Sequence, residues 1–170
     1  ETNMTYDIII IGAGPAGISA SLYAKRANLN VCVIYSGESQ LEKAHKIDNY
    51  YGFPDGIPGS DLYANGIQQA KNLDVEVIEA EVTHIEMIAP PPQTQYSVKA
   101  GEAEYSAPCL ILATGNKKLR PNIEGILDFE GKGVSYCAVC DGFFYRKKNV
   151  AVIGNGTFAV AEASHLAHIA

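Results

Sequence analysis

Two kinds of apolar pattern alternate at the start of the chain. Ile8 to Ile11 and Val31 to Tyr35 are continuous apolar runs, which is typical of strands that are buried on both faces of a parallel sheet. Residues 14–27 lie between them, are rich in alanine and predict a helix. Together these elements have the length of a strand–helix–strand unit, which takes roughly 30 residues.

The middle of the chain begins with a polar segment and continues with a segment in which apolar and polar residues alternate. Residues 36–58 contain several glycines and prolines, so they predict a loop. Gly59 to Leu73 predicts a helix with Ser60 as its N-cap. Residues 75–88 alternate with a period of two and predict one or two half-exposed strands. In the helix predicted at Gly59 to Leu73, the residues expected to face inward are Leu62, Ile67, Ala70 and Leu73.

Three further elements follow the alternating segment. Residues 90–92 are prolines and predict a turn. Residues 94–108 predict a hairpin around Ala100 and Gly101, and residues 109–115 predict another buried strand.

The composition indicates an ordinary globular protein. Of the 170 residues, 47% are hydrophobic, which argues against disorder. The net charge of −6 argues against a nucleic-acid partner, and no basic run predicts binding to a membrane surface. The apolar run from Ile8 to Ile11 is too short for a signal sequence or a membrane-spanning helix. We therefore expect a soluble, cytoplasmic protein.

A glycine-rich sequence follows the first apolar run. GAGPAG at residues 12–17 matches the G-x-G-x-x-G pattern of dinucleotide-binding loops. Gly12 permits the tight turn, Gly14 lets the backbone approach a pyrophosphate, and Gly17 lets the helix pack against its strand. The helix that follows offers free N–H groups to the phosphates.

The acidic residue that usually binds the ribose hydroxyls is missing from its expected place. It should end the second strand, where Tyr35 stands instead. Ser36 and Glu38, which follow directly in the loop, are therefore the candidates for this contact.

A second glycine-rich sequence lies near the other end of the chain. Gly154, Gly156 and Ala159 match the related pattern G-x-G-x-x-A. Residues 150–153 before it predict a strand, and the residues after it predict a helix. The chain thus repeats its opening pattern.

The two glycine loops define the predicted architecture. Residues 116–125 are polar, basic and contain Gly and Pro, so they predict a linker and hinge between domains. A doubly wound domain needs several more strands than follow the second loop. We therefore predict an α/β fold with two nested Rossmann-like dinucleotide-binding domains in three layers, residues 1–116 and 117–170. The second domain is incomplete in this chain, and we expect a C-terminal truncation.

One pair of cysteines is spaced for chemistry. Cys32 and Cys109 lie inside apolar runs and are predicted to be small buried residues. Cys137 and Cys140 are separated by two residues. Their spacing alone is compatible with a zinc half-site, a structural staple or a redox-active disulfide.

The residues around this pair bear on the choice. A structural zinc site takes four ligands, often from a second C-x-x-C or a His pair. The sequence has no second C-x-x-C, and His165 and His168 are expected to be solvated, so no metal site is predicted. Asp141 follows the pair directly. It is either a proton carrier for a departing thiolate or a turn residue before Gly142.

Five motifs in order give the chain a specific resemblance. It resembles the low-molecular-weight thioredoxin reductases, which belong to the FAD-dependent pyridine nucleotide-disulfide oxidoreductases, from Tyr6 to the last residue. The motifs are GAGPAG at 12–17, NYYGF at 49–53, ATG at 113–115, CAVCDGFFYR at 137–146 and GNGTFA at 154–159.

The resemblance implies a set of cofactor-binding residues. FAD would be bound by the first glycine loop, by Asn49 near the flavin ring and by Val82 near the adenine. The second glycine loop would bind the nicotinamide nucleotide. The remaining residues implied to line the two sites are Pro15, Ala16, Ala113, Thr114, Gly115 and Thr157.

The resemblance also implies an activity and its partners. Electrons would pass from NADPH through FAD to the Cys137–Cys140 disulfide, with Cys140 facing the flavin. Cys137 would then attack the disulfide of thioredoxin or a thioredoxin-like protein, and Asp141 would supply a proton. A homodimer is typical of the family.

The electron donor has a second candidate. The loop at residues 38–53 resembles a clostridial branch of flavin thioredoxin reductases, which take electrons from ferredoxin instead of NADPH. The retained second glycine loop favours the nucleotide. A non-catalytic flavin- or nucleotide-binding fragment is the third interpretation.

Overall fold

The structure is a computed structural model that describes residues 4–116 and 120–170. The chain divides into two compact units, Glu1–Asn116 (unit 1) and Lys117–Ala170 (unit 2). This division falls at the predicted domain boundary, while the identity of each unit as a nucleotide domain stays a prediction. Part of the predicted hinge at 116–125, residues 117–119, lies outside the described residues.

Unit 1 contains eight described strands and two α-helices. None of the helices formed by the described residues of either unit is long and apolar enough to cross a membrane. A short 3-10 helix, Gln40–Lys43, lies in the loop after the third strand. In chain order the elements are β1 (Met4–Thr5), β2 (Ile8–Ile11), α1 (Pro15–Arg26), β3 (Val31–Tyr35), α2 (Gly59–Asn72), β4 (Glu76–Glu79), β5 (Val82–Ala89), β6 (Gln95–Ala100), β7 (Ala103–Ala107) and β8 (Cys109–Leu112).

A parallel sheet of four strands is the centre of unit 1. Its order is β4-β3-β2-β8, with Ile8 paired to Val31 on one side and to Cys109 on the other. The side chains of β2 and β3 alternate between two apolar clusters, one on each face of the sheet. Continuous apolar runs are therefore required here, because both faces are buried.

Each face of this sheet is covered by a different layer. On one face, Ile10 and Val33 pack with Ile18 of α1 and Ala70 of α2. On the other face, Ile9, Cys32 and Ile34 pack with Val98 and Tyr105 of a second sheet, whose order is β1-β7-β6-β5. Unit 1 thus has three layers, and the predicted α/β class is confirmed.

Four predictions about unit 1 are wrong in detail. Leu73 does not face inward, because α2 ends before it and its side chain is exposed. Ser60 does not cap α2, because the helix already begins at Gly59 after an extended Pro58, and the Ser60 hydroxyl contacts Asp61 instead. β8 is not a fully buried strand, since it pairs with β2 alone at the edge of the parallel sheet. Cys109 on this edge is exposed, whereas the prediction that Cys32 is buried is confirmed.

Unit 2 is built from short helices. Two of them are 3-10 helices, Ile126–Phe129 and Gly142–Tyr145, and two are α-helices, α3 (Ala138–Asp141) and α4 (Thr157–Leu166). Among residues 120–170, β-pairing is limited to a single bridge between Glu130 and Val134.

The strand predicted at residues 150–153 is not formed. These residues are exposed and carry no strand hydrogen bonds. An apolar run becomes a strand only when neighbouring strands pair with its backbone, and the described part of unit 2 supplies none. The prediction of a strand here was therefore wrong for this chain.

Candidate functional site

The first glycine loop joins the ends of three parallel strands. The Gly12 amide donates to the Ile34 carbonyl of β3 at 2.8 Å, and the Ala113 amide donates to the Ile11 carbonyl at 2.8 Å. Gly12 has φ +110°, and a Cβ at this position would collide with the carbonyl oxygen of Ala113. A Cβ at Gly17 would collide in turn with the carbonyl oxygen of Gly12. Both glycines are therefore required by close packing within the protein.

Gly14 differs from its two neighbours in the motif. It caps α1, and a Cβ there would meet no atom within 4 Å. No side chain caps the helix, no acidic residue occupies its first turn, and Pro15 and Ala16 are exposed. The free N–H groups at the start of α1 therefore have no side-chain cap and suit a pyrophosphate. The protein does not need a glycine here for its own packing, and the close approach of a ligand at Gly14 stays a prediction.

Other predicted residues meet at the same edge of the parallel sheet. Ser36 and Glu38 follow the end of β3, and Thr114 and Gly115 follow the end of β8, all four of them exposed. Ligands of open parallel sheets bind at the carboxyl ends of the strands. The structure thus brings the glycine loop, the ribose candidates and the ATG motif to one edge.

Glu79 is a carboxylate at this edge that the sequence analysis missed. It ends β4 and pairs in register with Tyr35. Burial and then the charge of Glu79 raise the pKa of the Tyr35 phenol. The alternating pattern predicted the strand but not its register, so nothing in the residue pattern indicated that Glu79 would stand beside Tyr35.

The predicted flavin loop is a closed turn beside the 3-10 helix. Ile47 and Ile57 exchange two backbone hydrogen bonds of 2.8 and 2.9 Å, which close the loop. Within it, the rings of Tyr50 and Phe53 stack with centroids 6.2 Å apart. An open depression of about 430 Å³ is lined by residues 48 and 50–54, and Asn49 is exposed in the same loop.

Val82 lies apart from this loop. It begins β5 and packs, partly buried, against the core between the two sheets of unit 1. It comes three residues after Glu79, which ends β4, so it is close in sequence to the edge where the other candidates meet. A contact with adenine stays a prediction.

Cys137 and Cys140 form a disulfide at the start of α3. Their Cα atoms are 5.3 Å apart. Cys137 is the N-cap of the helix, and the Cys140 amide donates to its Sγ at 3.2 Å. Cys140 is exposed and Cys137 is half-buried. The bond joins two sulfurs that lie on one helical turn, so the pair can open and close with little change in the backbone.

Asp141 is held by a serine that the sequence analysis missed. The Ser135 hydroxyl donates to Oδ2 of Asp141 and accepts a hydrogen bond from the Cys137 amide at 3.2 Å. Because Ser135 occupies Oδ2, the other carboxylate oxygen remains available to carry a proton. The structure is compatible with Asp141 as a proton carrier and also with Asp141 as a turn residue, since it ends α3 before Gly142.

The second glycine loop begins α4 in the same unit. Gly156 caps the helix with an extended backbone, and neither a side-chain cap nor an acidic residue is present in the first turn. A Cβ at Gly154 would lie 2.6 Å from the Cβ of Ala159, so these two residues pack closely. Gly156 and Thr157 are exposed.

A glutamate of α4 contacts the disulfide turn. Oε2 of Glu162 accepts a hydrogen bond of 2.6 Å from the Ala138 amide, the first N–H of α3. Nothing in the local sequence indicates this contact, because 24 residues separate the partners.

Cys32 lies outside the disulfide and is buried. Burial raises the pKa of the Cys32 thiol to about 12, which excludes it as a nucleophile near neutral pH.

Among residues 4–116 and 120–170, no three His, Cys, Asp or Glu side chains are arranged to hold a metal ion.

Comparison with known proteins gives a family match and close relatives. Residues 6–170 match the pyridine nucleotide-disulphide oxidoreductases. The thioredoxin reductase of Ureaplasma parvum serovar 3 is 40% identical over 168 residues, which are 97% of this chain and 52% of that protein. The glucosaminate ammonia-lyase of Pseudomonas fluorescens is 39% identical over 165 residues, which are 96% of this chain and 50% of that protein. The chain therefore spans about half the length of the curated relatives it matches.

Solved structures agree with this match. The thioredoxin reductase from Streptococcus pyogenes superposes with a TM-score of 0.87 at 38% identity and covers 99% of this chain and 54% of its own. A ferredoxin-flavin thioredoxin reductase from Clostridium acetobutylicum superposes with a TM-score of 0.60 at 33% identity, over 99% of this chain and 58% of its own.

Proposed function

The chain belongs to the pyridine nucleotide-disulphide oxidoreductase family, and we propose on that basis that it is part of a thioredoxin reductase. The protein would use FAD to reduce the disulfide of thioredoxin or a thioredoxin-like protein through Cys137 and Cys140. The observation that carries this proposal is the disulfide at the start of α3, with Cys140 exposed and Asp141 directly after it.

The residues of unit 1 fit the proposed cofactor. The open space at Gly14 and the uncapped start of α1 suit the FAD pyrophosphate, and Ser36, Glu38 and Thr114 lie at the same edge. Bound FAD would take up two electrons from the donor and pass them to the disulfide. All other steps use side chains of this chain and the partner.

The proposed disulfide exchange uses each cysteine once as a nucleophile. After two electrons and two protons convert the pair to a dithiol, the Cys137 thiolate attacks the partner's disulfide. A bond forms between Cys137 and one partner sulfur, the partner's own bond breaks, and Asp141 gives a proton to the departing thiolate. The Cys140 thiolate then attacks Cys137, which restores the disulfide and releases the partner as a dithiol.

Replacement of one cysteine tests this function. In the full-length protein, Cys140→Ser should lower thioredoxin reduction by roughly a thousandfold or more, since the second exchange step has no nucleophile. The flavin absorption band should remain. Cys109→Ser is the matched control, because Cys109 is an exposed cysteine outside the disulfide. Retained activity in Cys140→Ser, or a wild-type protein without a flavin band, would refute the proposal.

NADPH is the proposed electron donor, and ferredoxin is the second candidate. The uncapped start of α4 after Gly154 and Gly156 favours a nucleotide. The similarity to the clostridial ferredoxin-flavin enzyme favours ferredoxin. Anaerobic mixing of the flavin-loaded protein with NADPH, NADH or reduced ferredoxin distinguishes them, because the true donor bleaches the flavin band and the others leave it unchanged.

The substrate, assembly and location belong to the same proposal. The similarity to a glucosaminate ammonia-lyase makes glucosaminate a second substrate to assay beside oxidised thioredoxin. A cytoplasmic homodimer is expected by analogy with the family. Sedimentation of the full-length protein would measure its mass directly, and a monomer at working concentration would contradict the dimer.

A further inference from the structure

The first turn of α3 has two of its backbone N–H groups accounted for. The Cys140 amide points to Sγ of Cys137 at 3.2 Å, and the Ala138 amide points to Oε2 of Glu162 at 2.6 Å. The second distance is at the short end for a hydrogen bond to a carboxylate, which is the stronger kind. Glu162 lies on α4, so a residue of the second glycine-loop helix contacts the peptide directly after Cys137.

This contact opposes the ordinary effect of a helix start on a cysteine. Free N–H groups in the first turn of a helix lower the pKa of a thiol at the N-cap. Glu162 occupies one of these N–H groups and places a carboxylate next to Cys137. Both effects make the Cys137 thiolate less stable once the disulfide has been reduced.

A less stable thiolate makes the pair a stronger reductant. The reduction potential of a disulfide rises when its reduced form is stabilised and falls when it is destabilised. A pair that passes electrons to another disulfide benefits from a low potential. We propose that Glu162 is a positioning residue that anchors the disulfide turn and raises the pKa of the Cys137 thiol. The benefit of this effect for a disulfide reductase rests on the proposed function.

Other titratable groups lie on the elements around the pair. Asp141 is on α3, Tyr145 is on the following 3-10 helix, and His165 is on α4. In the segment before the pair, Tyr136 donates to Glu130, which also binds Arg120. Among the described residues, however, Glu162 is the charged side chain hydrogen-bonded to the backbone of the first turn of α3.

Alkylation of Cys137 measures the effect without flavin, donor or thioredoxin. In a Cys140→Ser background, the reduced full chain is treated with iodoacetamide at pH 6 to 10, and modification of Cys137 is followed by peptide mass. Glu162→Gln keeps an oxygen that can accept from Ala138 and removes the charge. The apparent pKa of the thiol should fall by about half to one unit, which speeds alkylation at pH 7 about three- to tenfold.

Two further variants sharpen this test. Glu162→Ala removes both the charge and the hydrogen bond, so the pKa should fall by at least as much as in Glu162→Gln. Glu124→Gln removes an exposed glutamate of the same unit and should leave the pKa unchanged. An unchanged or raised pKa in Glu162→Gln, in a variant whose circular dichroism matches the parent, overturns the proposal.

A redox equilibrium gives a second readout. With both cysteines present, oxidised and reduced dithiothreitol at pH 9 should leave about two- to fivefold more of the Glu162→Gln pair reduced. An equal or smaller reduced fraction would contradict the proposal. Neither readout depends on activity, so a protein that fails to reduce thioredoxin would refute the proposed function and leave this inference to be judged by its own result.

Discussion

The two glycine loops are alike in sequence and unlike in their surroundings. Each follows an apolar run and begins a helix that has no side-chain cap. Ile11, directly before the first loop, is 6% exposed, whereas Ile153, directly before the second, is 72% exposed. The glycines therefore give the turn locally, while the strand before them forms only where other strands pair with it.

The helices after the two loops show the same difference. Ile18 of α1 and Val160 of α4 occupy equivalent places, six residues after the first glycine of each loop. Ile18 is 5% exposed and packs between α1 and the parallel sheet, while Val160 is 70% exposed. A helix can begin at a glycine loop without a core, but only the first helix gains stability from one.

Glycine replacements in the first loop should have the largest effect. Gly12→Ala forces a Cβ against the Ala113 carbonyl at φ +110°, so we expect a loss of at least about 3 kcal/mol in the free energy of unfolding, or no folding. Urea unfolding followed by circular dichroism measures it. Gly14→Ala meets open space and should change stability by less than about 1 kcal/mol while weakening FAD binding about tenfold or more. Similar stabilities for both variants would contradict this account.

Isoleucine truncation compares the two runs directly. Ile11→Ala leaves a cavity in the core of unit 1 and should cost about 2 to 4 kcal/mol. Ile153→Ala removes an exposed side chain and should change stability by less than about 0.5 kcal/mol. Hydrogen exchange read by peptide measures each region separately. A comparable loss of protection in the two variants would show that residues 150–153 are packed.

Alkaline pH should weaken unit 1 through one buried thiol. The pKa of the Cys32 thiol is about 12, above its ordinary value of 9.0. The unfolded chain therefore loses this proton first, and stability that is complete below pH 9 is lost as pH rises towards 12. The slope is up to about 1.4 kcal/mol per pH unit.

Two cysteine variants isolate this slope. Cys32→Ala should remove the corresponding part of the decline in unfolding free energy between pH 9 and 11. Cys109→Ala, which changes an exposed thiol, should leave the decline unchanged. If the wild type and Cys32→Ala lose stability in parallel, the buried thiol is not the cause.

The sequence was most informative where one local rule decided the structure. The apolar runs at 8–11 and 31–35 became strands with the predicted bounds, and the predicted hairpin formed with its turn one residue later, at Gly101 and Glu102. The close approach at Gly12 and Gly17 follows from the fingerprint spacing. These features depend on residues within a few positions of one another, or on burial of both faces of a strand.

The errors arose where distant parts of the chain decide. Residues 150–153 have the composition of a strand but no described partners, and β8 has the composition of a buried strand but lies at an edge. The contact of Glu162 with Ala138 joins two helices. Sequence patterns indicate which residues prefer burial or a strand, and they do not specify which neighbours will be present.

The pairing of β2 with β8 sets an order of events during synthesis. Ile8 pairs with Cys109, about 100 residues later, so the first strand leaves the ribosome long before its second neighbour exists. At roughly 5 to 20 residues per second, that interval is about 5 to 20 seconds. Throughout this interval, the strand of four isoleucines lacks one of its two neighbouring strands, and such β-branched segments are prone to aggregate. This strand is therefore most vulnerable before residue 112 emerges, and a chaperone that holds residues 8–11 would raise the soluble yield.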